Sequence, residues 1–340
     1  MQSFIGQSAD ECWRSAGTRL IQEFSGGVVD SRAGEVREIL HATMAISDPR
    51  QRWVLARTPG LNPAFAIVEA IWILAGRNDA SFVNFWNPAL PRFTGGGDRY
   101  AGAYGRRLRT NFGVDQIERA IDALDANPLS RQVVLQIWDG ALDLPSPQGG
   151  PSNPDVPCNL SCLPKVRDGK LYWLQVLRSN DLIRGTPYNI VQFTVLQEFI
   201  AGCLGLDLGE YMQVSDSLHV YVQDLNSFSI AGPGQAPSAT ASLLLGRREA
   251  ARVLREMVVL LERLSSGDLT IQCARKILSD GLPAGYGDFL AIAAADSARR
   301  RGWGDLQAEA ADGCTDPLLK AAWTNWSERK TGRLQACAAE

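Results

Sequence analysis

A chain of 340 residues, 45% hydrophobic and 21% charged, has globular composition and is long enough to bury a core as one large domain or two modest ones. Its net charge of −3 supplies no basic face, so neither nucleic acid nor an anionic membrane is expected as a partner. The longest apolar stretch, FAIVEAIWILAG at 65–76, is too short to span a bilayer and carries Glu69 in its middle.

The first residues, MQSFIGQSADECWR, lack a charged segment followed by an apolar one, so no targeting segment is expected. Seven scattered cysteines, odd in number and without a CxxC pair, fit a reduced, cytoplasmic setting rather than a disulfide framework.

In chain order, residues 9–24 predict an amphipathic helix, followed by a Gly-rich turn, SGGVVDSRAG, around Arg32. Pro63 opens an apolar helix that runs to about Ala75, with Gly76 just past its end. FWNPALPRFTGGGDRYAGAYG is too rich in Pro and Gly to be one element. DQIERAIDALDANP predicts a helix ended by proline, and the β-branched run RQVVLQIW a buried strand. The loop LDLPSPQGGPSNPDVP leads into CNLSCLPKV and KLYWLQVLR, which Asp168-Gly169 joins as a hairpin. A helix over 190–204 and a strand in EYMQVSDSLHVYVQD follow. Beyond about 230, GPGQAPSATA is linker-like and the remainder is helical and rich in Ala, Leu and Arg. The expected class is α+β: a mixed body over 1–230, with a helical part over 231–340 packed on the same domain.

Cys158 follows a proline at a loop-to-strand boundary. A buried cysteine is usually a small hydrophobe, and a reactive one needs a cationic neighbour. Counting back from a hairpin centred near 168.5 places residue 158 opposite about 179, which brings Arg178 and Ser179 beside this thiol. A guanidinium and a hydroxyl suit a phosphate. Asn189 offers a donor and an acceptor, enough to read a pyrimidine edge, and could equally cap the helix that follows. His219 and Tyr221 alternate on one strand face and could hold a sugar hydroxyl. Glu69 is anomalous, since an unpaired buried carboxylate is expensive: it is either at the surface or a site residue with a raised pKa. Tyr104, in a Gly-rich loop, could serve as an acid–base or orienting group.

Taken together, SRAG, EAIWILAG, AYGRRLR, SRQVVLQIW, PCNLS, RSNDLIRGTPYN and HVY resemble, in that order, thymidylate synthases and the related pyrimidine-nucleotide hydroxymethylases. The resemblance covers 32 to about 224. It implies a thymidylate synthase-like fold with a large mixed β-sheet, a sheet-to-sheet homodimer, and 5,10-methylenetetrahydrofolate as one-carbon donor. By resemblance, Cys158 is the nucleophile that attacks C6 of the pyrimidine. Arg32, Arg178, Ser179 and, from the partner subunit, Arg131 match the phosphate clamp. Glu69 matches the carboxylate that organises water and protons around the base, and Tyr104 the tyrosine linked to C5 proton removal. Asp181 and Gly185 match folate-binding positions, Asp181 as the pterin carboxylate. His219 and Tyr221 match the pair on the ribose 3′-hydroxyl. Asn189 matches the base reader; cytidylate-specific relatives carry aspartate there, so the resemblance implies a uridylate, dUMP or UMP.

Three departures from the family pattern stand out, and the third, with a divergent FWNPALPRF segment where synthases carry a tryptophan-bearing folate wall, bears on the product. Gln132 stands where a second clamp arginine is usual, Asn159 where histidine commonly follows the nucleophile, and NWSERKTGRLQACAAE replaces the short apolar tail that closes over the folate. A water-tight site favours hydride transfer and a methyl product; a wetter one favours a hydroxymethyl product. The expectation is therefore a folate-dependent uridylate C5 hydroxymethylase. The alternatives are a thymidylate synthase, a cytidylate hydroxymethylase and a catalytically silent nucleotide-binding relative.

Overall fold

The computed structural model describes residues 2–146, 153–230, 238–279 and 281–337, with side chains as far as residue 328. The middle of the loop after 142 and most of GPGQAPSATA lie outside the described residues. The elements, in order, are β1 (Gln2–Gly6), α1 (Ala9–Gly17), β2 (Val36–Ile46), β3 (Arg57–Thr58), α2 (Pro63–Leu74), α3 (Ala80–Asn84), α4 (Pro91–Thr94), α5 (Tyr104–Arg109), α6 (Gln116–Ala126), β4 (Leu135–Gln136) and α7 (Gly140–Asp143). After the loop that ends at Cys158 come β5 (Asn159–Arg167), β6 (Lys170–Asp181), α8 (Thr186–Cys203), β7 (Asp207–Tyr221) and β8 (Ser229–Ile230). The helical part holds α9 (Arg247–Ser265), α10 (Ile271–Leu278), α11 (Ala284–Arg300), α12 (Gly304–Asp312) and α13 (Pro317–Cys337).

Six strands form one mixed sheet in the order β1-β2-β7-β6-β5-β4. β1–β2 and β6–β7 pair parallel, and the other neighbours antiparallel. The mixed α+β architecture expected from the sequence is observed. Two apolar helices, α2 and α8, pack on one another and α8 lies on the sheet. Both are hydrophobic nearly all round, the pattern of helices buried on every side. α2 starts where the sequence predicts: Asn62 caps it by accepting from Phe65 N at 3.2 Å, and Pro63 fills its first turn.

Three expectations are corrected. RQVVLQIW is buried on one face only and pairs briefly: Val133, Leu135 and Ile137 are buried, Val134 on the opposite face is 50% exposed, and the paired strand is confined to Leu135–Gln136 at the sheet's edge. The first predicted helix ends as α-helix at Gly17 and continues as a π-turn, Thr18–Gln22. The helix predicted from 190 begins at Thr186 with Pro187 in its first turn, so Asn189 lies inside that turn and is not the cap.

Residues of the helical part share one hydrophobic cluster with the body. α9 and α11 pack on α2, and α9 also on α8. Gly202 of α8 lies so close to the segment before α9 that a Cβ there would sit 2.5 Å from Leu245 N. Among the described residues no helix is long and apolar enough to cross a membrane.

Candidate active site

The hairpin forms at Asp168-Gly169, whose φ values of +49° and +70° match the turn that suits tight hairpins. A bulge at Leu160 shifts the register by one, so the residue opposite Cys158 is Arg178, which donates N–H to Cys158 O at 2.9 Å. The Arg178 guanidinium donates from Nε to Pro157 O at 3.0 Å and from Nη2 to Val156 O at 3.2 Å, and lies over the Trp138 ring. It thus stiffens the segment that presents the thiol. Burial pushes the Cys158 thiol above its ordinary pKa; Arg178 and Arg32 oppose this, and Asp181 and Asp155 add to it. The arginine is where the hairpin count expects it, yet burial outweighs its pull, and the resting sulfur is a thiol.

The surroundings of Asn189 are built on amides. Asn189 is 6% exposed and accepts at Oδ1 from Asn159 Nδ2 at 3.2 Å. Its own Nδ2 donates to Asn180 Oδ1 at 3.3 Å. Tyr104, the first residue of α5, hydrogen-bonds the Asn159 side chain, and burial holds its hydroxyl well above the usual phenol range. α5 sits against α2 through Gly105, where a Cβ would lie 2.7 Å from Ile73 O. Glu69 is half-buried on α2 and accepts from Gln192 Nε2. Burial raises its pKa to about 7, and the Gln192 N–H pulls the other way. Of the two readings offered for Glu69, an exposed surface position is not the one found: it is half-buried and bonded to Gln192.

At the other end of the cluster, His219 on β7 stands in register with Asp181 on β6. The His219 and Tyr221 rings meet edge to face, 5.3 Å between centroids. The Tyr221 hydroxyl bonds the Ser31 side chain and senses Asp181, Cys158 and Arg32. Asp181 Oδ1 accepts from Ile183 N at 2.8 Å and Arg184 N at 3.0 Å, closing the turn that ends at Gly185, the residue before α8. Burial raises the Asp181 pKa against that pull and the nearby His219. Ser179 is half-buried beside Ser217, and Arg32 is exposed, reaching Pro154 O at 3.5 Å.

Cys158, Tyr104, Glu69, Asn189, Arg178, Asp181, His219, Tyr221 and Arg32 are thus linked by bonds or near neighbours of one another. Arg131 is not in this cluster: it is exposed ahead of β4, and its side chain makes no hydrogen bond or ion pair among the described residues. A cavity between β1 and α1, of about 480 Å³, contains none of these residues.

The sequence matches the family described as thymidylate synthase over residues 28–253, which takes in every residue of the cluster. The chain belongs to the thymidylate synthase family. Relatives include a deoxyuridylate hydroxymethyltransferase of Bacillus phage SP01, 33% identical over 235 residues, 66% of this chain and 60% of that protein. Another of the same name, from Pseudomonas phage M6, is 36% identical over 206 residues, 60% of this chain and 57% of that one. A thymidylate synthase of Bacillus licheniformis is 31% identical over 180 residues, 48% of this chain and 60% of that protein. The chain therefore spans about three fifths of the relatives it matches.

Four side chains of this thymidylate synthase family site escape motif reading. Gln192 touches Glu69, and its spacing of three from Asn189 on one helix is the signal that could have found it. Gln175 and Asn180 flank the two asparagines, and both sit in strand β6, where polar residues pointing to the buried face are the anomaly. Asp155 accepts from Gly102 N at 2.7 Å, tying the loop before Cys158 to the loop that leads into Tyr104; nothing in the sequence marks it.

Proposed function

We propose that this protein hydroxymethylates deoxyuridylate at C5, with 5,10-methylenetetrahydrofolate as donor. The observation that carries the reading is a thiol, a tyrosine and an amide linked through Asn159, with Arg178 behind the thiol. Relatives named deoxyuridylate hydroxymethyltransferase at 33% and 36% identity favour hydroxymethylation and the deoxy sugar over the alternatives.

Asp181 suits a pterin edge, since Oδ1 takes both turn N–H groups and the other oxygen has no such duty. The bound folate supplies a one-carbon unit at the oxidation level of formaldehyde. Arg32, Arg178 and Ser179 hold the phosphate, and His219 and Tyr221 the ribose. Asn189 accepts from N3–H and donates to O4. Cys158 gives up its proton and adds through Sγ to C6, which makes C5 the nucleophile for the one-carbon unit. Tyr104 stands where the C5 proton leaves, and Glu69 orients water. With the C5 proton lost and the bond from the one-carbon unit to the folate nitrogen broken, tetrahydrofolate leaves; that water then adds its oxygen to the exocyclic carbon, and Cys158 departs as the C5–C6 double bond returns.

The reading includes a sheet-to-sheet homodimer in which Arg131 serves the other subunit's phosphate. The face of the sheet away from α8 supports it: Leu174, Val176, Met212 and Val214 are half-buried, Tyr172 is 37% exposed and Ile5 75%.

Mass spectrometry of the product from dUMP, UMP, dCMP and CMP, each with methylenetetrahydrofolate, tests the proposal. The expected result is dUMP plus CH2O, with tetrahydrofolate released. A gain of CH2 with dihydrofolate would make the protein a thymidylate synthase. Reaction of dCMP alone would overturn the base assignment, and no product from any substrate would leave only a nucleotide-binding role.

A further inference from the structure

Asn189 does not act alone, because its orientation is set by a chain of buried side chains that begins at an indole. Trp173 Nε1 donates to Gln175 Oε1 at 3.1 Å, and Gln175 Nε2 to Asn159 Oδ1 at 2.8 Å. Asn159 Nδ2 then donates to Asn189 Oδ1 at 3.2 Å, Asn189 Nδ2 to Asn180 Oδ1 at 3.3 Å, and Asn180 Nδ2 to Ser215 Oγ at 2.9 Å. All six side chains are buried; Asn159 and Gln175 are fully so.

A carboxamide has a donor end and an acceptor end of nearly equal size, so each amide taken singly could face either way. Hydroxyls at the far end, Ser215 and Thr186, both donate and accept, and so impose no direction. The indole at the near end can only donate. It therefore fixes Gln175, which fixes Asn159, which fixes Asn189. Turning Asn189 over by itself would press its Oδ1 against Asn180 Oδ1 and its Nδ2 against Asn159 Nδ2, losing two buried hydrogen bonds where water cannot replace them.

In the locked orientation each end of the Asn189 amide keeps one spare valence: a second lone pair on Oδ1 and a second hydrogen on Nδ2. A pyrimidine edge thus meets an acceptor and a donor in a fixed order. Uracil, with N3–H and O4, complements that order. Cytosine, with a bare N3 and an amino group at C4, needs the reverse.

Resting on the assignment of Asn189 as base reader, we propose that Trp173 and Gln175 are positioning residues for pyrimidine choice. They fix the polarity of the Asn189 amide and thereby hold the site to uracil over cytosine. Neither needs to touch the nucleotide, and no charged group takes part.

The test is calorimetric binding of dUMP and of dCMP to the full chain without folate, so that nothing turns over. Wild type is compared with Trp173→Phe, which removes the N–H donor, and with Gln175→Leu, which breaks the relay. Gln213→Leu is the control, an equally buried glutamine on the neighbouring strand that bonds to Met44 instead. Wild type should favour dUMP. In both relay variants the dUMP-to-dCMP affinity ratio should fall about tenfold or more, equivalent to about 1.4 kcal/mol, with dCMP binding gained as dUMP binding is lost. The control should keep the ratio. Equal weakening of both nucleotides, or an unchanged ratio in a folded Trp173→Phe protein, would overturn the inference and leave the functional reading intact. Wild type that binds neither nucleotide would overturn both.

Discussion

The pocket around Cys158 and the helical part beyond residue 238 are held together by different chemistry. Between Asn189 and its supports, every buried polar link is a neutral amide, hydroxyl or indole. In the helical part arginines supply charged links of a kind absent from that network. Arg299 and Arg300 both pair with the fully buried Asp296, at 2.9 and 2.7 Å. The Arg300 and Arg301 guanidiniums also lie over the Phe85 ring, 5.4 and 5.0 Å from its centre. An ion pair attracts across a wide range of angles, so it locates an element without dictating which way a neighbour's dipole points. A chain of amides dictates direction and brings no net charge beside the base. Recognition of a donor–acceptor pattern calls for the second; anchoring a helix is served by the first.

The largest expected effect tests whether the pocket's architecture is independent of its nucleophile. Cys158→Ser should lower turnover of dUMP by about 10⁴-fold or more while leaving nucleotide binding nearly unchanged, because the thiol supports none of the amide bonds. Initial rates and calorimetry on the same preparation measure both. Unimpaired turnover would remove covalent catalysis at Cys158.

Next in size is Glu69, whose bond to Gln192 sets it beside the neutral network. Glu69 is raised to about 7 by burial and held down by Gln192; Tyr104 and Tyr188 feel its charge from α5 and α8, both as neutral hydroxyls. Gln192→Leu removes the opposing N–H, so the Glu69 pKa should climb. Activity that needs the carboxylate ionised should fall about three- to tenfold at pH 7 and return by about pH 9, a shift of about one unit in the acidic limb. An unmoved limb would mean that Glu69 does not set it. The sign for stability follows from the same shift. A carboxylate with a folded pKa above its unfolded one holds its proton more tightly when folded, so stability declines as pH rises from about 4.5 to about 7. Glu69→Gln should abolish that decline, gaining on the order of 2 kcal/mol at pH 8 and little at pH 4, as chemical denaturation at the two pH values would show.

How far the pocket was legible before the fold was known follows the same division. The Asp168-Gly169 turn carries its own signature, and counting from it brings Cys158 to the arginine with an error of one residue. The bulge at Leu160 that causes the error has no compositional mark. His219 and Tyr221 are placed together by strand alternation alone. Glu69 announces itself as a carboxylate in an apolar helix. Its partner does not, because the bond to Gln192 depends on which face of α8 meets α2. The link between Asn159 and Asn189 spans 30 residues and exists only when β5 packs under α8. RQVVLQIW misleads in part for a related reason: β-branched content reports strand propensity, whereas burial of each row of side chains depends on whether that face of the sheet is covered.

In the helical part, Arg300→Met should cost about 1–3 kcal/mol. It strips one of two guanidiniums from buried Asp296 and the bond that Arg300 donates to Trp86 O. Arg300→Lys should recover only part of this, since an ammonium keeps the charge but neither the planar fork nor the stacking on Phe85. Thermal melts of the three proteins would show the graded loss. Equal stability of Arg300→Met and wild type would remove this arginine as a tie between α11 and the segment around Trp86.

The smallest effect separates burial from the mere number of ionic partners. Arg252 on α9 also meets two carboxylates, Glu249 at 2.8 Å and Glu256 at 2.5 Å, but its side chain is 48% exposed, against 17% for Arg300. Water and salt already solvate all three groups when the chain is unfolded and continue to do so when it is folded, so little is gained by pairing them. Arg252→Gln should leave the melting temperature unchanged in physiological salt. If it costs as much as Arg300→Met, then arginine pairing anchors these helices regardless of depth, and the contrast with the amide pocket rests on charge alone rather than on charge withdrawn from solvent.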